Sequence, residues 1–338
     1  MEKIGKNPNF WQKLPKPFFA LAPMANVTDS VFRKIIAKYG KPDVMWTEFV
    51  SADGLISAGQ KKLLIDLAFS NKERPIVAQL FTGHPEVMRE AAKIIADLGF
   101  DGLDINMGCP DRAVEKQGGG AVMMKDFKKV VLVLEAAREG LALSNSKIPV
   151  SIKTRLGYNK IDMEWIKLLL VQKLPALTVH LRTRKEMSDV PAHWEIIPDI
   201  IKMRDEISPG TVIIGNGDVE TIENGVLKCE KYGCDGVMVG RGIFGKPWLF
   251  SDSSERAPKE RLKIMLEHAE LFDKTFCGKK HLKNFAVMKK HFKAYVSGRS
   301  DSKSWDGAKE LRVKLMSTKN FKEVKKVVVD YLGLLDRN

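Results

Sequence analysis

The chain has 338 residues, 44% of them hydrophobic and 29% charged, enough apolar surface for one large domain or a large domain plus a small one. It holds no uninterrupted apolar run of about 18 residues, so no membrane-spanning helix is expected. Its four cysteines, at 109, 229, 234 and 277, form no CxxC pair, so no zinc or other metal site is expected. The net charge of +14 is lopsided: residues 256–338 carry 21 Lys and Arg against 10 Asp and Glu, a net of +11, which leaves +3 for the first 255 residues. Such asymmetry points to a polyanionic partner for the C-terminal part, the plain alternative being a lysine-rich solvated surface.

In chain order, MEKIGKNPNFWQKLPKPF is basic but lacks the apolar stretch of a signal peptide, and free thiols without a secretion signal indicate a cytoplasmic protein. One grammar then repeats over the first 250 residues: a short β-rich run, a polar or glycine-rich end, a helical pattern. The expected strands are 19–25 (FALAPMA), 43–49 (DVMWTEF), 75–81 (PIVAQLF), 102–108 (GLDINMG), 149–155 (PVSIKTR), 176–182 (ALTVHLR), 212–218 (VIIGNGD) and 236–242 (GVMVGRG). Thr28 or Asp29 caps a helix through Phe32, Ile35 and Ile36. His84-Pro85-Glu86 opens another, with Val87, Ala91, Ile94, Ile95 and Leu98 on one face and Gly99 as its C-cap. Eight alternating βα units predict a TIM (β/α)8 barrel within residues 1–250. A doubly wound sheet would more often carry GxGxxG after its first strand, and none is present there. After the polar linker 251–260 (SDSSERAPKE) the pattern becomes purely helical, so residues 256–338 read as a small basic all-helical domain.

In such a barrel the chemistry sits at the C-terminal ends of the strands. Those ends carry Pro23-Met24-Ala25, Glu48, Gln79, Asn106 with Cys109, Lys153 with Arg155, His180 with Arg182, Asn216-Gly217-Asp218 and Gly240-Arg241-Gly242. GNGD and GRG after the seventh and eighth strands suit a phosphate cradle, although glycines also make ordinary tight turns. A lysine inside a barrel strand is costly without an acceptor or anion. For Lys153 one candidate is the pyrimidine edge of a flavin, and the other a salt bridge to a neighbouring carboxylate. Gln79 could hydrogen-bond the same ring, and His180 is either a ligand or a satisfied core histidine. Cys109, between Gly108 and Pro110 in DINMGCPDR, sits in a shaped loop. A thiol with a pKa of about 8.5 is mostly protonated at neutral pH and can donate a proton, or attack as a nucleophile if a base activates it. No Cys–His pairing is visible in the sequence, and Cys229, Cys234 and Cys277 read as structural.

Taken together, APMANVTDSVFR (22–33), TEF (47–49), VAQL (77–80), DINMGCP (104–110), KTR (153–155), VHLRTR (179–184), GNGD (215–218) and GVMVGRG (236–242) resemble the tRNA-dihydrouridine synthases. The likeness extends to FAVMKKHFKAYVSG (285–298) in the tail, and Leu181 stands where that family often has glycine. The resemblance implies bound FMN, NADPH as reductant and tRNA as substrate. Pro23, Met24 and Ala25 would lie under the flavin, with Gln79 and Lys153 at its polar edge. His180 would lie near the ring and phosphate, and Asn216, Gly217, Asp218, Gly240 and Arg241 would hold the ribityl and phosphate groups. Cys109 matches the catalytic cysteine. Asn106 matches a residue beside the uracil, and Arg155 and Arg182 are placed with the substrate. In the tail, Lys289, Lys290, Lys293 and Arg299 are the expected tRNA contacts, with Arg312, Lys314, Lys283 and His291 as further candidates. A monomer is expected. Two other readings stay open: an FMN barrel reducing a small pyrimidine-like molecule, which leaves the +11 tail unexplained, and a non-catalytic RNA-binding barrel, which leaves the strand-end residues unexplained.

Overall fold

The computed structural model describes residues 9–251, 254–278, 281–297, 305 and 307–335. They form two compact units: Met1–Ser30 with Pro42–Gly240, and Val31–Lys41 with Arg241–Asn338.

In the first unit, eight parallel strands close into a barrel in sequence order. They are β1 (Phe18–Leu21), β2 (Val44–Ser51), β3 (Ile76–Phe81), β4 (Gly102–Met107), β5 (Val150–Arg155), β6 (Ala176–His180), β7 (Val212–Asn216) and β8 (Gly236–Val239). Pairing of Phe18 with Gly236 through Leu21 with Val239 closes the ring. Five strands, β1, β4, β6, β7 and β8, stop short of the sequence expectation, and three of them do so for plain local reasons. β1 gives its last ladder bond from the Ala22 N–H to Val239, and the following Pro23 has no N–H to continue. The Arg182 N–H turns back to the His180 carbonyl at the end of β6. β8 runs straight into a 3-10 turn at Arg241–Ile243.

Side chains alternate along each strand, so every second residue faces the interior. Phe18, Ala20 and Ala22 of β1 and its extension, Val44 and Trp46 of β2, Val77 of β3 and Val212 and Ile214 of β7 build one apolar cluster. Phe10 and Trp11 join it from the 3-10 turn Phe10–Lys13, with the Trp11 ring 5.5 Å from that of Trp46 and 6.3 Å from that of Phe18. These aromatic rings fill the N-terminal end of the barrel. Toward the other end the interior turns polar, with Gln79, Asp104, Asn106 and Ser151 all buried.

Outer helices follow β3 (Pro85–Leu98), β4 (Phe127–Leu143), β5 (Met163–Val171), β6 (Ile197–Ile207) and β7 (Ile222–Tyr232). Gly99 ends the first of these in the left-handed conformation expected of a C-cap. β2 is followed only by the short helices Ala52–Leu55 and Gln60–Leu63. Cys229 and Cys234 touch at 3.5 Å between sulfurs, across the Gly233 cap of Ile222–Tyr232. That is the apolar contact such caps commonly make.

The second unit contains the helices Pro258–Phe272, Met288–Ser297, Ala308–Ser317 and Phe321–Leu335, and no strand among its described residues. Its core holds two buried imidazoles. The ring of Phe32 stacks on His268 at 4.9 Å and lies 4.7 Å from His291, and the two histidine rings are 4.7 Å apart. The Tyr295 hydroxyl reaches His268 Nδ1 at 3.4 Å. His291, a candidate RNA contact in the sequence, is therefore a core residue. Glu267 accepts the Tyr39 hydroxyl at 2.6 Å and pairs with Lys38 at 2.6 Å, fastening the Val31–Lys41 segment into this unit. No helix among the described residues is long and apolar enough to cross a membrane.

Candidate active site

The end of β4 is organised by side-chain amides of fixed polarity. Asn106 Oδ1 accepts the backbone N–H groups of Gly108 at 3.1 Å and Cys109 at 2.9 Å, bending the chain out of the strand. Asn106 Nδ2 donates to Gln79 Oε1 at 3.0 Å, and Gln79 Nε2 donates to Asp104 Oδ2 at 2.6 Å. The second carboxylate oxygen of Asp104 accepts the Ser151 hydroxyl at 2.6 Å. Strand register makes this possible: Gln79 pairs with Asp104, and Asp104 with Ser151, so inward side chains at one level meet across neighbouring strands. Burial pushes the Asp104 carboxyl up to about 6 against the opposing pull of the Ser151 and Gln79 hydrogen bonds.

Beyond Asn106, the Cys109 carbonyl accepts the Ala121 N–H at 2.9 Å, and Asp111 caps the short helix Arg112–Lys116 through the Ala113 N–H at 2.7 Å. Gly108 is required by close approach, since an added Cβ would lie 2.9 Å from the Thr154 carbonyl carbon. Cys109 itself is half-buried. Burial raises its pKa above the ordinary thiol value, so the thiol is protonated at neutral pH.

β5 supplies two cations. Lys153 makes no ion pair among the described residues, so the salt-bridge reading of this lysine finds no support. Burial and the neighbouring Arg155 bring its pKa down to about 8, while Asp104 and Cys109 act to raise it. Arg155 is spent on backbone carbonyls: Gly108 at 2.9 Å, Thr183 at 3.0 Å and Met187 at 2.8 Å. It ties the cysteine loop to the loop after β6, and burial brings its pKa down to about 10.

The ends of β6 and β7 form a second cluster. Buried Arg182 donates to Asp218 at 2.5 Å, to the Val190 carbonyl at 2.6 Å and toward His180 Nε2 at 3.2 Å. A ring nitrogen that accepts from a guanidinium carries no proton, which leaves the His180 proton on Nδ1. Asp218 also accepts the Ala192 N–H at 2.9 Å, and Asn216 donates to the Met238 carbonyl at 2.8 Å. Gly217 has φ +130°, where any Cβ would also strike that of Ala192 at 2.8 Å, and Asp218 follows with φ +50°. Leu181 is buried and donates its N–H to the Asn216 carbonyl at 2.9 Å, so a side chain is accommodated where the resemblance led to glycine.

After β1, the Met24 N–H donates to the Thr28 hydroxyl at 2.9 Å, and Glu48 accepts the Asn26 N–H. Pro23 and Met24 are half-buried and Ala25 is exposed. Gly240 lies beside them, its missing Cβ 3.8 Å from Ala22 Cβ and Met24 Sδ. The structure thus gathers Gln79, Asn106, Cys109, Lys153 and Arg155 in one cluster and His180, Arg182, Asn216, Gly217 and Asp218 in an adjoining one. Arg241, exposed, opens the second unit. In that unit Lys290 and Lys293 are exposed and Lys289 half-buried, on the face of Met288–Ser297 opposite buried Met288, His291, Phe292 and Tyr295. Arg299 lies outside the described residues.

Sequence reasoning missed Asp104 and Ser151, and the Arg184–Glu115 pair at 2.8 Å. Parity could have found the first two: Asp104 shares its inward phase with Asn106, and Ser151 with Lys153. Nothing in the sequence pairs Arg184 with Glu115.

A family model described as dihydrouridine synthase (Dus) matches residues 20–332. The chain belongs to the dihydrouridine synthase family. It is 40% identical over 327 residues to the probable tRNA-dihydrouridine synthase 2 of Bacillus subtilis (strain 168), covering 96% of each chain. It is also 40% identical over 334 residues to the probable tRNA-dihydrouridine synthase of Staphylococcus aureus (strain COL), covering 98% of each. Among solved structures, histamine dehydrogenase from Rhizobium sp. 4-9 shares the barrel fold, with a TM-score of 0.50 and 12% identity over 75% of this chain and 48% of that one. Like the rest of its family, this dihydrouridine synthase is an oxidoreductase that acts on uridine in tRNA.

Proposed function

We propose that this synthase binds FMN in the mouth of its barrel, draws electrons from NADPH, and uses Cys109 as the general acid that completes reduction of the uracil ring. The two clusters suit such a cofactor. Lys153 stands among buried groups without an ion-pair partner among the described residues and suits an anionic ring edge. The Gly217–Asp218 turn suits a phosphate through its backbone, because the Asp218 carboxylate is already matched by Arg182. Pro23, Met24 and Gly240 offer a small-contoured floor, with Gln79, His180 and Asn216 completing the set. When bound, FMN supplies the hydride that adds to C6 of uracil, and NADPH restores it.

The chain's own residues do the rest. Hydride addition leaves negative charge across C5 and the C4 carbonyl, and a proton must reach C5. The Cys109 thiol, protonated at neutral pH, supplies it. Asn106 fixes the loop that carries the thiol, and Arg155 closes that loop against the one after β6. Residues 1–250 carry the catalysis. Residues 256–338 hold the tRNA, with Lys289, Lys290, Lys293 and Arg299 on phosphates. Their contacts offset the few kcal/mol needed to unstack the target uridine. A cytoplasmic monomer fits this work.

The observation that carries the reading is the half-buried Cys109, held at the end of β4 by the Asn106 side chain, which accepts the Gly108 and Cys109 N–H groups. Its test is Cys109→Ala. The variant should keep its bound flavin and its oxidation of NADPH while dihydrouridine formation falls roughly 10²–10⁴-fold. Full dihydrouridine formation in the variant overturns the acid role.

A further inference from the structure

The middle of this barrel holds a carboxylate that packing alone does not call for. Asp104 is inaccessible to solvent, in an interior shared with Trp46 and Val77, where an apolar side chain would cost nothing in desolvation. Its two oxygens take one hydrogen bond each from Ser151 and Gln79, at 2.6 Å apiece.

From Asp104 an unbroken chain of hydrogen bonds runs to the backbone of the reactive loop, and every link has a defined direction. An ionised carboxylate can only accept, so Gln79 must turn its Nε2 toward Asp104. That turns Gln79 Oε1 toward Asn106, which answers with Nδ2. Asn106 is then left with Oδ1 facing the N–H groups of Gly108 and Cys109. Were Gln79 flipped, its Nε2 would face Asn106. Asn106 would then have to offer Oδ1 inward and aim Nδ2 at two backbone donors, which would lose both bonds that hold the cysteine. We propose that Asp104 is a positioning residue for Cys109: by accepting from Gln79 it sets the orientation of both amides and so the place of the thiol. The proposal deepens the reading of Cys109 as the proton donor and rests on it for its functional meaning. The geometric claim, that Asp104 governs where the thiol lies, can be tested separately.

The experiment follows the Cys109 thiol directly in full-length, flavin-loaded protein. Alkylation by iodoacetamide is measured on the Cys109 peptide by mass spectrometry, with Cys277 as internal reference. Asp104→Asn keeps an acceptor for Gln79 Nε2 and can donate its own Nδ2 to the Ser151 hydroxyl, so the chain keeps its direction. Asp104→Leu removes the acceptor at similar volume. Asp104→Asn should leave Cys109 alkylation within about twofold of the parent, whereas Asp104→Leu should change it by roughly tenfold or more, because small misplacements of a reacting group are costly. In Asp104→Leu, kcat should fall while KM for tRNA holds, and Cys277 alkylation should not move. Parent-like alkylation and kcat in folded Asp104→Leu overturn the proposal. So does a tenfold change in Asp104→Asn, a result obtainable even if the leucine variant does not fold. Cys109→Ala separates the two readings, since its full activity would remove the acid role and leave the alkylation result standing.

Discussion

Asp104 works against the fold that contains it. Its carboxyl titrates at 3.8 when exposed and at about 6 in the native barrel, so the folded state holds the proton more tightly than the unfolded one. The native state therefore gains stability as the pH falls through that interval, and the cost of the buried charge is complete above pH 6. At 1.36 kcal/mol per pKa unit that cost is about 3 kcal/mol. Asp104→Asn should raise the melting temperature at pH 8 by an amount reflecting much of it. The gain should shrink to roughly half at pH 5, as thermal melts at the two values will show. A variant no more stable than the parent at pH 8 would mean that the charge is already neutralised within the barrel. Cys109 makes the complementary point about acid strength. Its thiol is held above the ordinary value, so the acid form persists into alkaline solution. The single-turnover rate of uridine reduction should stay level past pH 8 and fall only at higher pH, and Cys109→Ser should be slow but lack that alkaline fall.

At the scale of elements, the junction of β4 with its loop is a tight constraint near the thiol. Gly108→Ala must push Cβ against the Thr154 backbone, which cannot yield as a side-chain tip could. The variant should lose about 1–3 kcal/mol in denaturant melts and show altered Cys109 alkylation at unchanged flavin content. The eight strands themselves were legible because β-rich runs end in polar or glycine-rich residues at regular spacing. Their ends were not, since Pro23 and the backward bond of Arg182 stop β1 and β6 through hydrogen bonding that composition does not express. The site divided the same way. Gln79, Asn106, Cys109 and Lys153 were readable one by one at strand ends. The chain joining Ser151, Asp104, Gln79 and Asn106 depends on register between strands distant in sequence, which no single strand encodes. Ser30–Tyr39 is a further case: its amphipathic pattern was plain, but a pattern does not name the surface it is buried against, and most of this helix belongs with the C-terminal unit.

At the scale of the molecule, the charge is unevenly spread along the chain, with +11 of the +14 in residues 256–338. Replacing Lys289, Lys290 and Lys293 together with alanine should weaken tRNA binding and flatten its salt dependence, by roughly 0.7–0.9 in log–log slope for each phosphate left without its lysine. A filter-binding titration against potassium chloride measures this, and an unchanged slope would clear that face of the helix of any role. The paired imidazoles of the helical unit give the protein a second, opposite answer to acid. Burial holds His291 down to about 3 and His268 well below its usual value, so both are neutral in the folded state. Their unfolded forms take up protons near pH 6.5, so the stability they contribute is whole above that value and is lost as the pH falls toward 3. Over the same interval the barrel recovers what Asp104 costs it. Mild acid should thus lower the melting temperature of the helical unit before that of the barrel unit, so that thermal melts at falling pH resolve two transitions.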